Sequence, residues 1–591
     1  MTGFINKVHI LWDLTVDRAK ASPSLIFRSI LVGLTSESQF IINMIFPALL
    51  LNLVMQSGNF DRVLIVVLLV SALLMFIGFV DDVHRKSYRN HFIRAMHYWA
   101  LTLRNKVHKV DLITVESNEG KKKFWRADEG LFNAVDVIEV IFATLLSRII
   151  TLVVTLYIFS HIHFLVAILI WTTAVLGYML DSKRAEKMVQ YEQKIAENNH
   201  ILKYMDKTMF ELSIVRDIRF SDGKDFLSSH YTKILATVRK IQDKQRLTNF
   251  NYQVARAIVS LIRTTIIYGL GVWRFSLGEL PLSDFLLFAG AAQLMSDSTV
   301  QIFEAFVSLS KMIPHYETLS TYMSLPNYAD KSGSLPMPDS IEEIVFDDVT
   351  FYYPNQQKPA LENVSFVLKG TDTVALVGEN GAGKSTVIKL LLRLYDVSSG
   401  RIMLNGIDIR EYDYNEYYNF FTAAFQDFNI FSFTIGENLT FGENNKSVYE
   451  HLSNIGLKKK IDSLPKGLNT EYSTMFVEDG VLFSGGEAQK LAIARALCRE
   501  KSQALIMDEP TAALDAIAEY NLNNLIYGLS KNRFTLFVSH RFSTTRFCNM
   551  ILVFDKGKLV EKGSHTKLLE DKKLYAQMYD MQIAFFQKGD G

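Results

Sequence analysis

The sequence predicts a two-part fold, with an α-helical membrane domain followed by an α/β P-loop NTPase domain. The chain has 591 residues, more than one ordinary domain contains. Long apolar stretches are concentrated in the N-terminal half. In the C-terminal half, Gly378–Ser385 fits G-x-x-x-x-G-K-[ST], the loop that wraps nucleotide phosphates. Together these observations indicate a nucleotide-binding domain joined to a membrane bundle.

Six apolar stretches in the N-terminal half reach, or can be extended to, the length of about 20 residues that crosses a bilayer. They are Ile41–Gln56 (extended back through Leu25–Leu34), Val63–Val80, Val137–Phe159, Leu165–Leu180, Val254–Phe275 and Leu282–Leu309. Polar residues 35–39 interrupt the first stretch, and acidic residues weaken the last. We therefore predict six transmembrane helices.

The connections between these stretches predict the orientation in the membrane. Asp81–Asp136 and Asp181–Gln253 are long and rich in Lys and Arg, whereas the other connections are short. Positive charge favours the cytoplasmic side, so we place the N-terminus and both long segments there. The helices would continue into the cytoplasm and turn back near Val110–Glu119 and Phe210–Phe220. Met1–Lys20 fits an amphipathic helix on the membrane surface.

The domain boundaries are predicted from a change in composition. Prolines and a glycine punctuate the segment after the last apolar stretch, which is typical of a linker. Strand-like segments begin at Ile344. We expect the membrane domain at residues 1–325, the linker at 326–341 and the nucleotide-binding domain at 342–591.

Charge and cysteine content exclude some functions. The formal net charge is +1, which gives no support for a nucleic-acid partner. The two cysteines, Cys498 and Cys548, are too few for a disulfide framework or a Cys-rich metal site. We expect both to be buried packing residues.

The phosphate loop follows an apolar strand-like run and precedes a helix-like segment, which is the context this motif needs. Its glycines permit a tight path on which backbone N–H groups converge on phosphate. Lys384 would place its charge on the β- and γ-phosphates, and Ser385 would offer a hydroxyl to Mg²⁺. The residues expected to contact the nucleotide here are Gly378, Glu379, Asn380, Gly381, Ala382, Gly383, Lys384, Ser385 and Thr386.

Two carboxylates end a second apolar run, Ala504–Met507. Asp508 suits the shell of Mg²⁺, and Glu509 suits a general base that polarises the attacking water. Solvated acids at a strand end are the alternative interpretation, but their position after a phosphate loop favours catalysis.

A second anion site is indicated by Ser484-Gly485-Gly486, which opens a helix-like segment. A chain with one phosphate loop needs a second such site only if that site faces the γ-phosphate held by a partner domain. With these motifs the chain resembles an ATP-binding cassette. The order of its two domains resembles an ABC exporter half-transporter of the type IV fold.

The resemblance implies roles for five further residues. Tyr353 matches the aromatic that stacks on adenine, and Gln426 matches the glutamine that senses Mg²⁺ and the water. Asp515 resembles the aspartate that communicates between two ATP sites, and His540 resembles the histidine that holds the γ-phosphate. Glu487 belongs to the signature that contacts the nucleotide.

The signature departs from the usual family pattern at its two ends. Phe483 and Glu487 stand where the family usually has Leu and Gln, while Ser484–Gly486 is intact. We expect a competent site, although Glu487 adds negative charge near a nucleotide and could slow it.

The resemblance implies ATP-driven export by alternating access in a dimer with two composite sites, using ATP and Mg²⁺. The partner would be a second half-transporter, identical or different, in a bacterial inner or plasma membrane with the nucleotide-binding domain in the cytoplasm. Membrane lipid surrounds the helices, and the substrate class (peptide, lipid or hydrophobic small molecule) stays open. An importer and a non-transporting ATP-dependent sensor are the alternatives.

Charged residues within the predicted spans are candidates for a polar cavity, because burying charge in lipid is costly. They are Arg148, Arg256, Arg263, Asp284, Asp297 and Glu304. Arg263 with Asp297 or Glu304 could line a translocation pathway, or these residues could pair structurally between helices.

Overall fold

The computed structural model describes residues 2–57, 60–133, 136–162, 164–210, 212–354, 356–442, 447–510, 516–530, 533–539 and 542–588. The chain divides into two compact units. The first comprises residues 1–106 and 122–325, and the second comprises residues 107–121 and 326–591.

The N-terminal part is helical. Its helices are α1 (Thr2–Ala21), α2 (Ser24–Ser57), α3 (Phe60–Val107), α4 (Leu112–Glu116), α5 (Asn118–Asn133), α6 (Leu146–Ile162), α7 (Phe164–Phe210), α8 (Leu212–Phe220), α9 (Lys224–Ser276) and α10 (Leu282–Met323). A π-helical segment, Glu139–Leu145, leads into α6. The long helices α3, α7 and α9 extend well past their apolar parts, and α4 and α8 lie at the two predicted turning points.

Five helices of the described chain are long and apolar enough to cross a membrane. They contain the segments Ser24–Gln56, Phe60–Val107, Glu139–Phe159, Val166–Glu192 and Lys224–Ser276. The sixth predicted span lies on α10, which is not among these five. Many of its side chains are buried against the other helices of the first unit, so its surface need not be uniformly apolar.

The interruption that residues 35–39 predict in the first span is absent, because α2 runs through them without a break. Their polar side chains have partners on neighbouring helices. Thr35 and Ser36 donate hydrogen bonds to Asp81 at 2.7 and 3.2 Å. Glu37 pairs with Arg148 at 3.0 Å and accepts a hydrogen bond from Thr151. Satisfied polar groups do not prevent a helix from continuing through the membrane.

The other charged residues in the spans also have partners. Glu304 pairs with Arg256 at 2.6 Å, and Arg256 also contacts Asp181 at 3.4 Å. Arg263 donates to Ser260 on its own helix at 3.0 Å and interacts electrostatically with Asp297, one of the two carboxylates suggested for it. Asp297 accepts hydrogen bonds from Gln293, one turn earlier on α10.

The second unit is an α/β domain. Its strands are β1 (Glu343–Phe351), β2 (Leu361–Lys369), β3 (Thr373–Gly378), β4 (Ser399–Leu404), β5 (Ile407–Asp408), β6 (Phe421–Ala424), β7 (Ala504–Asp508), β8 (Phe534–Val538), β9 (Met550–Asp555) and β10 (Lys558–Gly563). Its helices after the linker are α11 (Lys384–Leu391), α12 (Tyr414–Phe420), α13 (Ile435–Thr440), α14 (Val448–Asn454), α15 (Lys458–Asp462), α16 (Gly485–Leu497), α17 (Ala516–Ser530), α18 (Phe542–Thr545), α19 (His565–Glu570) and α20 (Leu574–Lys588).

Two sheets organise this unit. One is antiparallel with strand order β2-β1-β4-β5, and the other has the order β10-β9-β3-β8-β7-β6. In the second sheet β9, β3, β8, β7 and β6 pair in parallel. Strands β3, β7 and β8 are buried along their whole length, as expected for a parallel sheet covered on both faces. Their carboxyl ends meet at one edge, where open α/β sheets bind ligands.

The segment Val107–Lys121, with α4, belongs to the second unit. Val110 forms a β-bridge with Asn327. Glu116 accepts a hydrogen bond from the hydroxyl of Tyr395, which follows α11. The sequence pattern had grouped this segment with the membrane helices on either side of it.

Candidate ATP-binding site

The phosphate loop joins β3 to α11. Gly378, Gly381 and Gly383 have φ angles of +152°, +79° and +103°, a region that side chains other than glycine rarely adopt. A Cβ atom on Gly383 would lie 2.7 Å from Leu361 Cδ2 and 2.8 Å from the Ala360 carbonyl oxygen. The close approach of residues 360 and 361 explains why only glycine fits at position 383.

Lys384 begins α11 and is folded back under the loop. Its Nζ donates to the carbonyl oxygens of Gly378 and Glu379, both at 2.8 Å. Burial lowers the pKa of Lys384, and the nearby carboxylates of Glu509 and Asp508 oppose that shift. The loop therefore holds a buried amine beside the positive end of a helix, as a phosphate site requires.

The side chains of Ser385, in the first turn of α11, and Asp508, at the end of β7, lie close together. Ser385 Oγ donates to Asp508 Oδ1 at 3.4 Å. Burial raises the pKa of Asp508, and the bond from Ser385 partly offsets this. A hydroxyl and a carboxylate are hard oxygen ligands that fit Mg²⁺. Among the described residues, no group of three or more His, Cys, Asp or Glu side chains could hold a metal ion.

Glu509 is held by contacts from three elements. Its φ of +50° is unusual for a residue other than glycine. Its N–H donates to the Val538 carbonyl at 3.1 Å. Its own carbonyl accepts from Gln489 at 3.0 Å, and its carboxylate accepts from Gln426 Nε2 at 3.1 Å. Strained backbone of this kind clusters at functional sites.

Gln489 is a contact that the sequence analysis missed. It lies on the buried face of α16 and connects the helix that the signature opens to the backbone of Glu509. A polar residue among the apolar residues of that helix face is the signal that could have indicated it.

Tyr353 lies beside the first turn of α11. Its hydroxyl is 3.1 Å from Thr386 Oγ1, and Lys389 Nζ lies 5.4 Å from its ring centre. Tyr395 contacts the same ring edge-on, with 5.6 Å between ring centres. The ring is thus fixed near the end of the loop and is only partly buried.

The signature starts α16 and is exposed at its tip. Ser484 caps the helix by accepting from the Glu487 N–H at 3.4 Å, and Glu487 accepts from the Ser484 N–H at 2.9 Å. Lys460 Nζ contacts Glu487 at 2.5 Å and lies 4.7 Å from the ring centre of Phe483. The N–H groups of Gly485 and Gly486 lie in the first turn of α16, where helix geometry provides no intrahelical acceptor for them.

The structure brings Lys384, Ser385, Asp508, Glu509 and Gln426 together at one sheet edge, with Tyr353 nearby. Asp515 and His540 lie outside the described residues. Neither Cys498 nor Cys548 forms a disulfide; Cys548 is buried and Cys498 is half-buried.

This fold and site define a P-loop nucleotide-binding protein fused to a helical membrane domain. The family model described as ABC transporter matches residues 361–512. The chain is 32% identical over 375 residues to the subtilin transport ATP-binding protein SpaT of Bacillus subtilis, covering 61% of this chain and 60% of that protein. It is 35% identical over 312 residues to an ATP-dependent lipid A-core flippase of Idiomarina loihiensis, covering 52% and 53%.

These alignments span between about half and 60% of the length of the curated relatives. A solved structure, of a bacterial Atm1-family ABC exporter with ATP bound, superposes with a TM-score of 0.80 at 22% identity. It covers 96% of this chain and 98% of that one, so the fold extends over both units. The chain therefore has the fold of an ABC exporter, in which a helical domain with several apolar helices is fused to a cassette that the ABC transporter model matches. This confirms the predicted fold class and the resemblance to ABC exporters.

Proposed function

We propose that the chain is one half of an ATP-driven exporter that works as a dimer. The observation that carries the proposal is the arrangement of two phosphate-binding elements in one cassette. The loop at Gly378–Thr386 lies at the sheet edge with Glu509 and Gln426. The signature Ser484–Gly486 is exposed to solvent at the tip of α16. An exposed signature can complete the site of a second cassette, so two chains would form two composite sites.

The residues around the phosphate loop form one half of the composite site, and they bind and orient ATP. Tyr353 stacks on the adenine, the loop backbone N–H groups and Lys384 hold the β- and γ-phosphates, and Ser385 and Asp508 hold Mg²⁺. The ion supplies positive charge that offsets the charge developing on the phosphates. Because the pKa of Asp508 is raised by burial, a cation beside its carboxylate stabilises the ionised form.

Glu509 acts as general base. Its carboxylate accepts a proton from water while the water oxygen bonds to the γ-phosphorus and the bond to the β-phosphate oxygen breaks. The products are ADP and phosphate. Gln426 donates a hydrogen bond to that carboxylate at 3.1 Å and so holds it from one side. Its predicted role is to sense Mg²⁺ and the attacking water. His540 and Asp515 keep their predicted roles, holding the γ-phosphate and linking the two sites.

ATP binding closes the cassettes, and α4 and α8 carry that motion to the membrane helices. We place the membrane domain at residues 1–325, the linker at 326–341 and the cassette at 342–591, with the cassette and N-terminus in the cytoplasm of a bacterial cell. The substrate is a peptide, lipid or hydrophobic small molecule. One relative is named as a lipid A-core flippase, which supports the lipid class, and another is named for subtilin transport.

The test is Glu509→Gln in the purified full-length protein. We expect ATP hydrolysis to fall at least about 100-fold while ATP binding is retained, because general-base catalysis contributes roughly 10²–10⁴-fold. Glu362→Gln is a matched control, because Glu362 is exposed and pairs with Lys558 at 3.4 Å. Undiminished hydrolysis in Glu509→Gln would exclude this role of Glu509.

ATP-dependent flux of lipid or peptide into inside-out vesicles tests export itself. Hydrolysis without flux of any substrate class would favour a regulatory subunit.

A further inference from the structure

Both departures of the signature from the family pattern contact one residue, Lys460 on α15. The ammonium group of Lys460 lies 2.5 Å from Glu487 Oε2. The same group lies 4.7 Å from the ring centre of Phe483, a distance at which a cation is attracted to an aromatic face. Phe483 is buried and also contacts Tyr472 edge-on, so its ring is fixed. A leucine in place of Phe483 would offer no such face to the ammonium group.

Glu487 is ionised within the first turn of α16. Burial alone would raise its pKa, but the bonds from Lys460 and from the Ser484 N–H and hydroxyl outweigh burial and lower that pKa. The carboxylate is therefore negative at neutral pH. It occupies the positive end of the same helix whose free N–H groups would receive a γ-phosphate.

A bare carboxylate at this position would repel the phosphate. We propose that Lys460 is a positioning residue that neutralises Glu487 and so allows the Phe483–Glu487 signature to receive the anionic γ-phosphate of ATP on a partner cassette. This inference rests on the proposed function. It explains why Glu487 is tolerated where the family usually carries a neutral glutamine.

If Lys460 served only to stabilise the fold, its loss would act through the folding stability of the cassette. The Lys460 and Glu487 side chains are 35% and 30% exposed, and ion pairs this accessible add little to folding stability. Another lysine of α15, Lys458, pairs with Asp462 at the same 2.5 Å distance but away from the signature. Lys458 is therefore a matched control for loss of a lysine from this helix.

The size of the effect follows from Coulomb's law. With roughly 6 Å between charges and an effective dielectric constant of about 40, one uncompensated charge changes affinity by about tenfold, equal to about 1.4 kcal/mol. Salt screens this interaction, so the factor should shrink as ionic strength rises.

The experiment measures steady-state ATP hydrolysis by the full-length protein in lipid nanodiscs. The variants are Lys460→Met, Lys460→Arg, Glu487→Gln, the double variant Lys460→Met/Glu487→Gln, and Lys458→Met. We expect Lys460→Met to raise the KM for ATP about tenfold at low salt with a smaller change in kcat. Lys460→Arg and Lys458→Met should stay near the wild-type KM. Glu487→Gln is the reference for the double variant, which should match the KM of Glu487→Gln to within about twofold, because no bare carboxylate remains.

Two outcomes would overturn the proposal. One is an unchanged KM in Lys460→Met. The other is a double variant as impaired as Lys460→Met, which would mean that Lys460 supports packing and not charge balance. Thermal melting of each variant checks that the cassette is folded. If the wild-type protein hydrolyses ATP in a Glu509-dependent manner while Lys460→Met behaves normally, only this inference fails. If the wild type does not hydrolyse ATP, both this inference and the proposed function fail.

Discussion

The ion pair between Glu37 on α2 and Arg148 on α6 should stabilise the first unit only as long as both partners are present. The two groups are 3.0 Å apart, and their side chains are 3% and 11% exposed. Thr151 also donates to the Glu37 carboxylate, and the Phe40 ring lies 5.0 Å from the Arg148 guanidinium. Removing one partner leaves the other charge buried inside a helix bundle, which is the expensive case.

Glu37→Leu should therefore destabilise the first unit by about 3–5 kcal/mol, the usual effect of breaking a buried pair. The double variant Glu37→Leu/Arg148→Met removes both charges and fills similar volume, so it should lie much closer to wild type. If the whole loss falls on the unfolding rate, the single variant should inactivate roughly 10²–10⁴-fold faster at a fixed temperature, since each 1.36 kcal/mol is tenfold in rate.

The assay is the half-life of ATP hydrolysis by the protein in nanodiscs held at one elevated temperature. Asp243→Asn is the control, because Asp243 and Arg246 are 3.8 Å apart and largely exposed. That change should alter the half-life by less than about fivefold, as exposed pairs contribute at most about 1 kcal/mol. A Glu37→Leu half-life within threefold of wild type would refute the reasoning. So would a double variant less stable than either single variant.

Two other predictions follow from the cassette. Gly383→Ala should weaken binding of a fluorescent ATP analogue and destabilise the cassette by about 1–3 kcal/mol, because the backbone φ of +103° and the Ala360 carbonyl leave no room for a Cβ atom. Gly528→Ala is the control, because its Cβ atom would meet open space. Equal effects of the two substitutions would contradict the argument. Burial raises the pKa of Cys498 to about 11 and that of Cys548 to about 12, so less than about 1% of either thiol is thiolate at pH 8. Alkylation by iodoacetamide, followed by mass spectrometry, should be slow in native protein and fast after denaturation, whereas complete native labelling within minutes would disprove this.

The sequence indicated the parts of the site that depend on local pattern. Strand, loop and helix around Gly378–Thr386 are contiguous in the chain, and their chemistry is fixed by glycine and lysine at set spacing. Ser385 and Asp508 were each predicted to bind Mg²⁺, and their side-chain oxygens lie 3.4 Å apart in the structure, where parallel strands β3, β8 and β7 end at one edge. The fold class was predictable for the same reason, because hydropathy and the phosphate-loop motif also depend on residues that are close in sequence.

Contacts between distant parts of the chain were not predictable from pattern. The sequence gives no sign that Glu37 meets Arg148, so residues 35–39 were interpreted as a break in the first span. It also leaves both Asp297 and Glu304 as possible partners of Arg263, because position in a span does not reveal which helix faces meet. In the structure Glu304 pairs with Arg256, and Arg263 interacts electrostatically with Asp297. Helix rotation and packing decide such pairs, and neither is encoded in a single segment's hydropathy.

The amino-acid sequence by itself determined the two domains, the phosphate loop and the acidic residues that follow β7, because each depends on neighbouring positions. Only the tertiary structure decided that Val107–Lys121 packs with the cassette and that Lys460 neutralises Glu487 across 27 positions of chain. From sequence alone, Glu487 was an unexplained negative charge beside a phosphate site. The reason is physical: the effect of a charge depends on the groups within a few ångströms of it, and folding chooses those groups.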